Sequence, residues 1–308
     1  MIKKLITAII CLCIVLLVYF FQDDIVNKTI DIIDSYRKAE FLETRNDYSK
    51  NVSFEYASIT DNFSPTSYQD ILNITYTALD KRYSSIIFYC PVEYKECVED
   101  VRNITSSDNE EILTIIGNLI SPYNNYTSIS VEYDTTGRVK YNISYLYDDD
   151  MIEYVDKKID KLLSDVITNE MTIEEKVKAA HDAIVQTTEY DQEYEKELNK
   201  TGRTTHESNT AYGLFKNHLA ICSGYADTMA LILDKLGLEN FKVASQTHIW
   251  NVVKINGKYL HIDATWDDPV NNIFGLLSDK YLLIDTPTLE SFNDEKHHFD
   301  TTVYLELR

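Results

Sequence analysis

The chain has 308 residues, with 29 Lys and Arg against 50 Asp and Glu, a formal charge of -21 and a pI near 4.6. That balance excludes a nucleic-acid binder working through a basic surface, because affinity for a phosphate backbone comes from Lys and Arg displacing counterions. At 44% hydrophobic and 26% charged, with 8 Gly and 5 Pro, the composition also excludes disordered, collagen-like and disulfide-dense classes.

The first predicted element is a membrane anchor over residues 1–22. Lys3 and Lys4 precede an apolar run from Leu5 to Phe21, after which Gln22, Asp23 and Asp24 return the chain to water. As a helix the run is about 25 Å long, the short end of what spans a bilayer. It ends in Leu17-Val18-Tyr19-Phe20-Phe21 rather than the small residues of a signal-peptidase site, so an uncleaved anchor is the expectation. Neither Cys11 nor Cys13 follows a Gly, Ala or Ser, which argues against a lipoprotein site. The basic pair stays in the cytoplasm by the positive-inside rule, and the rest of the chain is then extracytoplasmic. Asn-x-Ser/Thr sequons recur between Asn27 and Asn199, at a frequency the Asn, Ser and Thr content accounts for by chance.

Residues 23–49 read as a stalk, with Ile25, Ile30, Ile33 and Tyr36 at helical spacing. Residues 50–150 read as a small α+β domain with no catalytic signature. Helices are predicted over Gln69–Lys81, Lys95–Asn103 and Glu110–Ile120, and a strand over Ser84–Tyr89. A hairpin joins Ser128–Tyr133 to Arg138–Tyr147 through Asp134-Thr135-Thr136-Gly137. Cys90 and Cys97 fit either a small disulfide loop, worth about 2 kcal/mol outside the cytosol, or two unpaired small hydrophobes. With two more cysteines in the apolar run, Cys222 stands alone, and a leftover thiol in an exported chain calls for a reason.

The remaining domain, residues 151–308, opens with helical patterns over Asp149–Ile167 and Thr172–Thr187. The second starts at a capping-box spacing, Thr172 with Glu175. Glu189–Ser208 is charged and poor in apolar residues and reads as a loop. A short segment Thr210–Lys216 follows, then a helix from Cys222 to Leu236 ended by Gly237. Strands are expected near Lys242–Gln246, Ile249–Ile255 and Tyr259–Asp263, the last two joined by Asn256-Gly257, the strongest hairpin signal in the chain.

Three residues of this half form a chemical set. A thiol at the start of a helix lies at the positive end of the macrodipole. An ordinary thiol titrates near 8.5, so making thiolate dominant at pH 7 needs about 2.7 kcal/mol, more than the roughly 0.3–1 that a helix end typically supplies. Cys222 therefore needs a partner imidazole. His248, at the mouth of a strand, is the best placed. Pairing Val253-Lys254-Ile255 against Lys258-Tyr259-Leu260 sets residue 250 opposite 263. His248 and Asp263 then become diagonal neighbours on one face, roughly 7–8 Å apart at the backbone. Each residue also has a plain structural reading: a buried small hydrophobe, a core histidine, a turn aspartate. His261 shares the face and is a rival base, whereas His181, His206, His218 and His297 read as structural. A metal on His248, His261 and Asp263 is disfavoured beside a competing thiol, and no cofactor is implied.

The strings Ile221-Cys222-Ser223-Gly224-Tyr225-Ala226, His248-Ile249-Trp250-Asn251 and Tyr259-Leu260-His261-Ile262-Asp263-Ala264-Thr265-Trp266-Asp267-Asp268-Pro269 resemble, in that order, the motifs of the bacterial transglutaminase-like superfamily. The resemblance covers about residues 170–270. A softer likeness, at Phe88-Tyr89-Cys90 and Ser121-Pro122-Tyr123-Asn124, is to segments preceding this domain in proteins of Gram-positive bacteria. What it implies is an α+β, papain-like core with Cys222 as nucleophile, His248 as base and Asp263 as orienting acid. The implied chemistry is acyl transfer or hydrolysis on glutamine carboxamides or peptide amides of extracytoplasmic or cell-envelope proteins. Trp250 and Trp266 are expected to wall the site. Tyr212 is nominated as a second oxyanion donor beside the Cys222 amide, against its reading as a packing aromatic. The alternative is an inactive binding or scaffold module on the same fold. The separator is whether Cys222 reacts selectively near neutral pH.

Overall fold

A computed structural model of the chain describes residues 2–34, 40–42, 54, 56–58, 63–106, 110–201, 206–268 and 278–307. The first helix, α1 (Ile2–Asp34), contains the whole apolar run. Its described side chains from Ile10 to Phe21 are exposed all round the helix. Among the described residues, which leave out the side chains of 2–5 and 7–9, no helix is long and apolar enough to cross a membrane. Of the stalk expected at helical spacing, Ile25, Ile30 and Ile33 fall on α1, and Tyr36 lies outside the described residues. Glu40–Leu42 is instead a strand, β1, paired antiparallel with β2 (Tyr56–Ser58); most other residues of 35–55 lie outside the described set.

The next elements follow the apolar patterning closely. Helix α2 (Tyr68–Asp80) is capped by Ser67, whose hydroxyl accepts from the Asp70 amide. Strand β3 (Ser85–Tyr89) leads through the disulfide-bonded pair Cys90–Cys97, with Cα atoms 5.6 Å apart, into α3 (Cys97–Thr105). After α4 (Glu110–Asn118) come β4 (Tyr126–Tyr133) and β5 (Arg138–Tyr145), which form a three-stranded sheet in the order β3-β5-β4.

Two helices open the second half: α5 (Asp149–Val166), and α6 (Ile173–Thr187), which starts on a full Thr172–Glu175 capping box. The stretch expected to be a loop is structured at its near end. It holds β6 (Glu189–Tyr190) and α7 (Gln192–Thr201). Helix α7 lacks an apolar stripe, but Asp191 Oδ1 accepts from the Tyr194 amide at 2.9 Å as a cap, and the Glu and Lys content favours helix intrinsically. Then come α8 (Ala211–Asn217), β7 (Leu219–Ala220), which pairs parallel with β6, and α9 (Cys222–Lys235).

The sheet that carries the site has the order β11-β10-β9-β8, all antiparallel: β8 (Asn240–Ala244), β9 (Ile249–Ile255), β10 (Lys258–Ile262) and β11 (Leu282–Ile284). A last helix, α10 (Thr286–Ser291), follows. The β9–β10 register pairs Lys258 with Ile255 and Leu260 with Val253, as the hairpin argument requires. Asn256 and Gly257 have φ of 52° and 79°, the positive pair a two-residue turn of this kind needs.

The sheet separates two apolar clusters. On one face Val253, Ile255 and Ile262 pack with Tyr225, Met229, Ile232 and Leu233 of α9 and with α5 and α6. On the other, Phe241, Val243, Trp250 and Val252 join the core built by residues 54–143 and the C-terminal Tyr281, Leu289, Tyr304 and Leu307. The apolar core thus runs across residue 150 rather than dividing there. Asn118 Nδ2 donates to the Tyr304 hydroxyl at 3.0 Å. Asn125 Nδ2 donates at 2.7 Å to Asp227, which also holds the buried Lys242 ammonium at 2.7 Å.

Candidate active site

Cys222 is the first residue of α9 and is half-buried. The preceding Ile221 supplies no side-chain cap, so the first-turn amides face the helix end without a capping oxygen, and the macrodipole there favours negative charge. Two contacts fix this helix start. The Ile221 amide donates to Ser208 O at 2.9 Å, and Ser223 Oγ donates to Asn209 Oδ1 at 3.0 Å. Gly224 is needed because a Cβ there would lie 2.6 Å from Ser208 O, inside any real contact distance. The glycine of the Cys-Ser-Gly-Tyr string thus lets α9 start against the 206–210 segment.

His248 sits one residue before β9, on a turn held by its amide donating to Ser245 Oγ at 3.1 Å. Its Nε2 donates to Asp263 Oδ2 at 2.6 Å, and the ring interacts electrostatically with the Cys222 thiol. With Nε2 committed to the carboxylate, Nδ1 is the nitrogen left for sulfur. Burial pushes the imidazolium down, but the Asp263 carboxylate and its hydrogen bond, with Cys222 adding, carry it up to about 10. Asp263 lies just past β10 and is only 2% exposed. Its Oδ1 accepts from the amides of Thr265 and Trp266 at 2.9 and 3.2 Å. Burial works against the charge, yet His248 and the hydrogen bonds hold the carboxyl well below the usual carboxylate range.

The rival base is accounted for. Trp250 Nε1 donates to His261 Nδ1 at 3.0 Å, so His261 Nε2 carries the proton and donates to Thr286 Oγ1 at 3.0 Å. Burial, with His297 adding, lowers its pKa to about 4, and it faces no thiol. The two tryptophans divide. Trp250, 1% exposed, stacks under His248 with centroids 5.8 Å apart and is a floor rather than a wall. Trp266, 38% exposed and 6.1 Å from the His248 ring, is the solvent-facing one of the two.

Tyr212 does not join the set: its nomination is corrected to the packing reading. On α8 it turns to α5, where its ring meets Tyr154 edge-on at 5.2 Å under the Lys216 ammonium. The tyrosine electrostatically coupled to Cys222 is Tyr190, whose phenol is raised by burial first and then by Cys222 and Glu195. It arrives through the β6–β7 pairing of Tyr190 with Ala220, two residues before Cys222, a long-range contact with no local pattern to announce it.

A second residue overlooked in the sequence is His297, which reads as structural there. It is buried, and its Nε2 reaches Asp263 Oδ2 at 2.8 Å. His181, by contrast, pairs with Asp182 and lies 3.4 Å from Asp267. His206 stacks on Tyr194, and the His218 ring reaches Thr187 O at 2.9 Å. The ligand atoms of His248, Asp263 and His297 lie within 4.8 Å of one another, the set among the described residues that converges as a metal site would. Its 2.6 and 2.8 Å contacts are hydrogen-bond lengths, shorter than the roughly 3.3 Å between two ligands on a tetrahedral zinc with bonds of about 2.0 Å.

No family model matches the chain, and no curated protein does. Among solved structures it is similar to one described as the crystal structure of a TGase, with 16% identity and a TM-score of 0.36, over 52% of this chain and 48% of that one. It is also similar to "a Putative Cysteine Protease from Cytophaga hutchinsonii", with 16% identity and a TM-score of 0.29, over 47% of this chain and 63% of that one. In both cases the chain spans less than two thirds of the solved one, and likenesses this distant assign no activity. What the protein can do is carried by its own side chains.

Proposed function

We propose that the chain is a cysteine-dependent acyl-transfer enzyme acting on amides, held at a membrane surface by α1. The observation that carries this reading is the convergence of a half-buried thiol at a helix N-terminus with an imidazole bonded through its far nitrogen to a buried carboxylate. That is the nucleophile, base and orienter arrangement of covalent catalysis. The Cys222 sulfur attacks an amide carbonyl, forming an S–C bond and an oxyanion that the Cys222 backbone N–H meets. Collapse breaks the C–N bond, and the His248 imidazolium gives its proton to the leaving amine. The acyl thioester then passes to an amine or to water, from which His248 takes a proton back.

The substrate class we infer is glutamine carboxamide or peptide amides of extracytoplasmic or envelope proteins. That location rests on Lys3 and Lys4 ahead of the apolar run and on the exposure of its described side chains all round α1, a surface that demands an apolar surrounding. The test is mass spectrometry of envelope peptides incubated with the protein and with its Cys222→Ala variant. New crosslinks mean a transferase and new termini a hydrolase. No difference between the two samples would refute the catalytic reading.

A further inference from the structure

The Asp263 carboxylate uses all of its accepting capacity. Two backbone amides fill Oδ1, and two imidazoles, His248 and His297, converge on Oδ2 at 2.6 and 2.8 Å. His297 is itself held from behind, its Nδ1 lying 2.8 Å from Asp294 Oδ2. An ionised carboxylate can only accept, so a ring placed between two carboxylates meets them through its N–H groups. The ring has little room to turn. It stacks on Tyr281 at 4.8 Å and 16°, with Trp250 and Trp266 edge-on at 5.0 Å each. Asp294 is fixed in turn by capping the short turn of residues 295–297, its Oδ1 accepting from the Lys296 amide at 3.0 Å.

We propose that His297 is a positioning residue of the active site: a buried ring, braced by Asp294, that locks the Asp263 carboxylate in the orientation that holds His248 against Cys222. This rests on the acyl-transfer reading above and extends it to a Cys222, His248, Asp263, His297, Asp294 chain. Without His297, Oδ2 keeps His248 as its one partner, and the carboxylate loses one of the four hydrogen bonds that fix its orientation. Its charge, buried at 2% exposure, would also lose one of its two neighbouring imidazoles. The titratable groups facing His297 are Asp263, Asp294, His248, His261 and Tyr281. A ring serving only to fasten the C-terminal segment would make the same contacts, so the test needs a readout at the sulfur.

The full chain is purified in detergent, and alkylation of Cys222 by iodoacetamide is followed across pH by mass spectrometry of its peptide, which separates it from Cys11 and Cys13. His297→Phe keeps a ring between Tyr281 and the tryptophans but removes both hydrogen bonds. It is expected to slow Cys222 alkylation at pH 7 by ~10-fold, the scale typical of losing a partner that orients a reacting group's own ligand. The low-pH limb of the profile should move upward, because a less firmly held Asp263 supports the His248 imidazolium, and with it the thiolate, less well. His297→Gln, whose one amide nitrogen reaches one carboxylate but not both, should recover part of the rate. It also carries the test if His297→Phe does not fold. A wild-type rate and limb in His297→Phe, or in His297→Gln where that variant alone folds, would overturn the inference while leaving the acyl-transfer reading intact. Wild-type Cys222 reacting no faster than in the unfolded chain would instead overturn the acyl-transfer reading, and the inference with it.

Discussion

Replacing Asp263 with Asn tests the electrostatics of the site directly. In the folded chain burial pushes the His248 imidazolium down, and the carboxylate overrides it to reach about 10. Asn occupies the same volume without the charge. Its one amide group cannot accept from the Thr265 and Trp266 amides on one side and from both imidazoles on the other. Burial then governs, and His248 should lose its proton at or below the ordinary 6.5, a fall of roughly 3 pH units or on the order of 4 kcal/mol. The sign for stability follows from the same shift. A folded value raised above the unfolded one gives stabilisation that is complete below pH 6.5 and lost as pH rises through about 10. The depressed Asp263 contributes stability present above its unfolded value near 4 and lost on acidification. The wild type should therefore exceed Asp263→Asn most between about pH 4 and 6.5, with the gap closing toward pH 10. NMR titration with 13C-labelled histidine, the His248 resonance assigned by a His248→Gln variant, measures the first effect, and urea unfolding across pH the second. A His248 resonance still titrating near 10 in Asp263→Asn would refute the assignment of its charge to that carboxylate.

Three further outcomes are expected. His261 is buried neutral with its pKa lowered to about 4, below its unfolded value, so it contributes stability above pH 6.5 that is lost as pH falls toward 4. His261→Gln should flatten the unfolding free energy measured between pH 7 and 5, and an unchanged slope would contradict the burial argument. Gly224→Ala puts a methyl group 2.6 Å from Ser208 O and should cost about 1–3 kcal/mol while slowing Cys222 alkylation, since the helix start must move; an unaltered melting temperature would show that the close approach is not required. Replacing Cys90 and Cys97 together by Ser opens a short loop and should lower stability by about 2 kcal/mol in urea unfolding, leaving Cys222 reactivity unchanged. Loss of Cys222 reactivity there would mean that the region carrying the disulfide acts on the site.

The elements that announced themselves were those with a local cause. Apolar periodicity marked α2, α4, α5 and α9, a capping box marked α6, and Asn256-Gly257 set the β9–β10 register that puts His248 diagonal to Asp263. Helix α7 escaped because its stability is charge-rich propensity plus the Asp191 cap, with Tyr194 its buried residue, so there was no stripe to read. Tyr212 was misassigned because a helix position gives a direction only once its neighbour is known, and the neighbour is α5.

By itself the sequence determined the candidate set, because Cys222 opens an amphipathic helix and the two strands flanked by His248 and Asp263 share a turn. Each of those relations spans few residues and follows from backbone periodicity. The tertiary structure decided which other groups surround that set. Tyr190 reaches Cys222 through a parallel pairing, and His297 returns from 34 residues beyond Asp263 to share its carboxylate. His261 is removed from competition by the Trp250 indole. Such contacts depend on how separate segments pack against one face of a sheet, and nothing in the spacing along the chain encodes that.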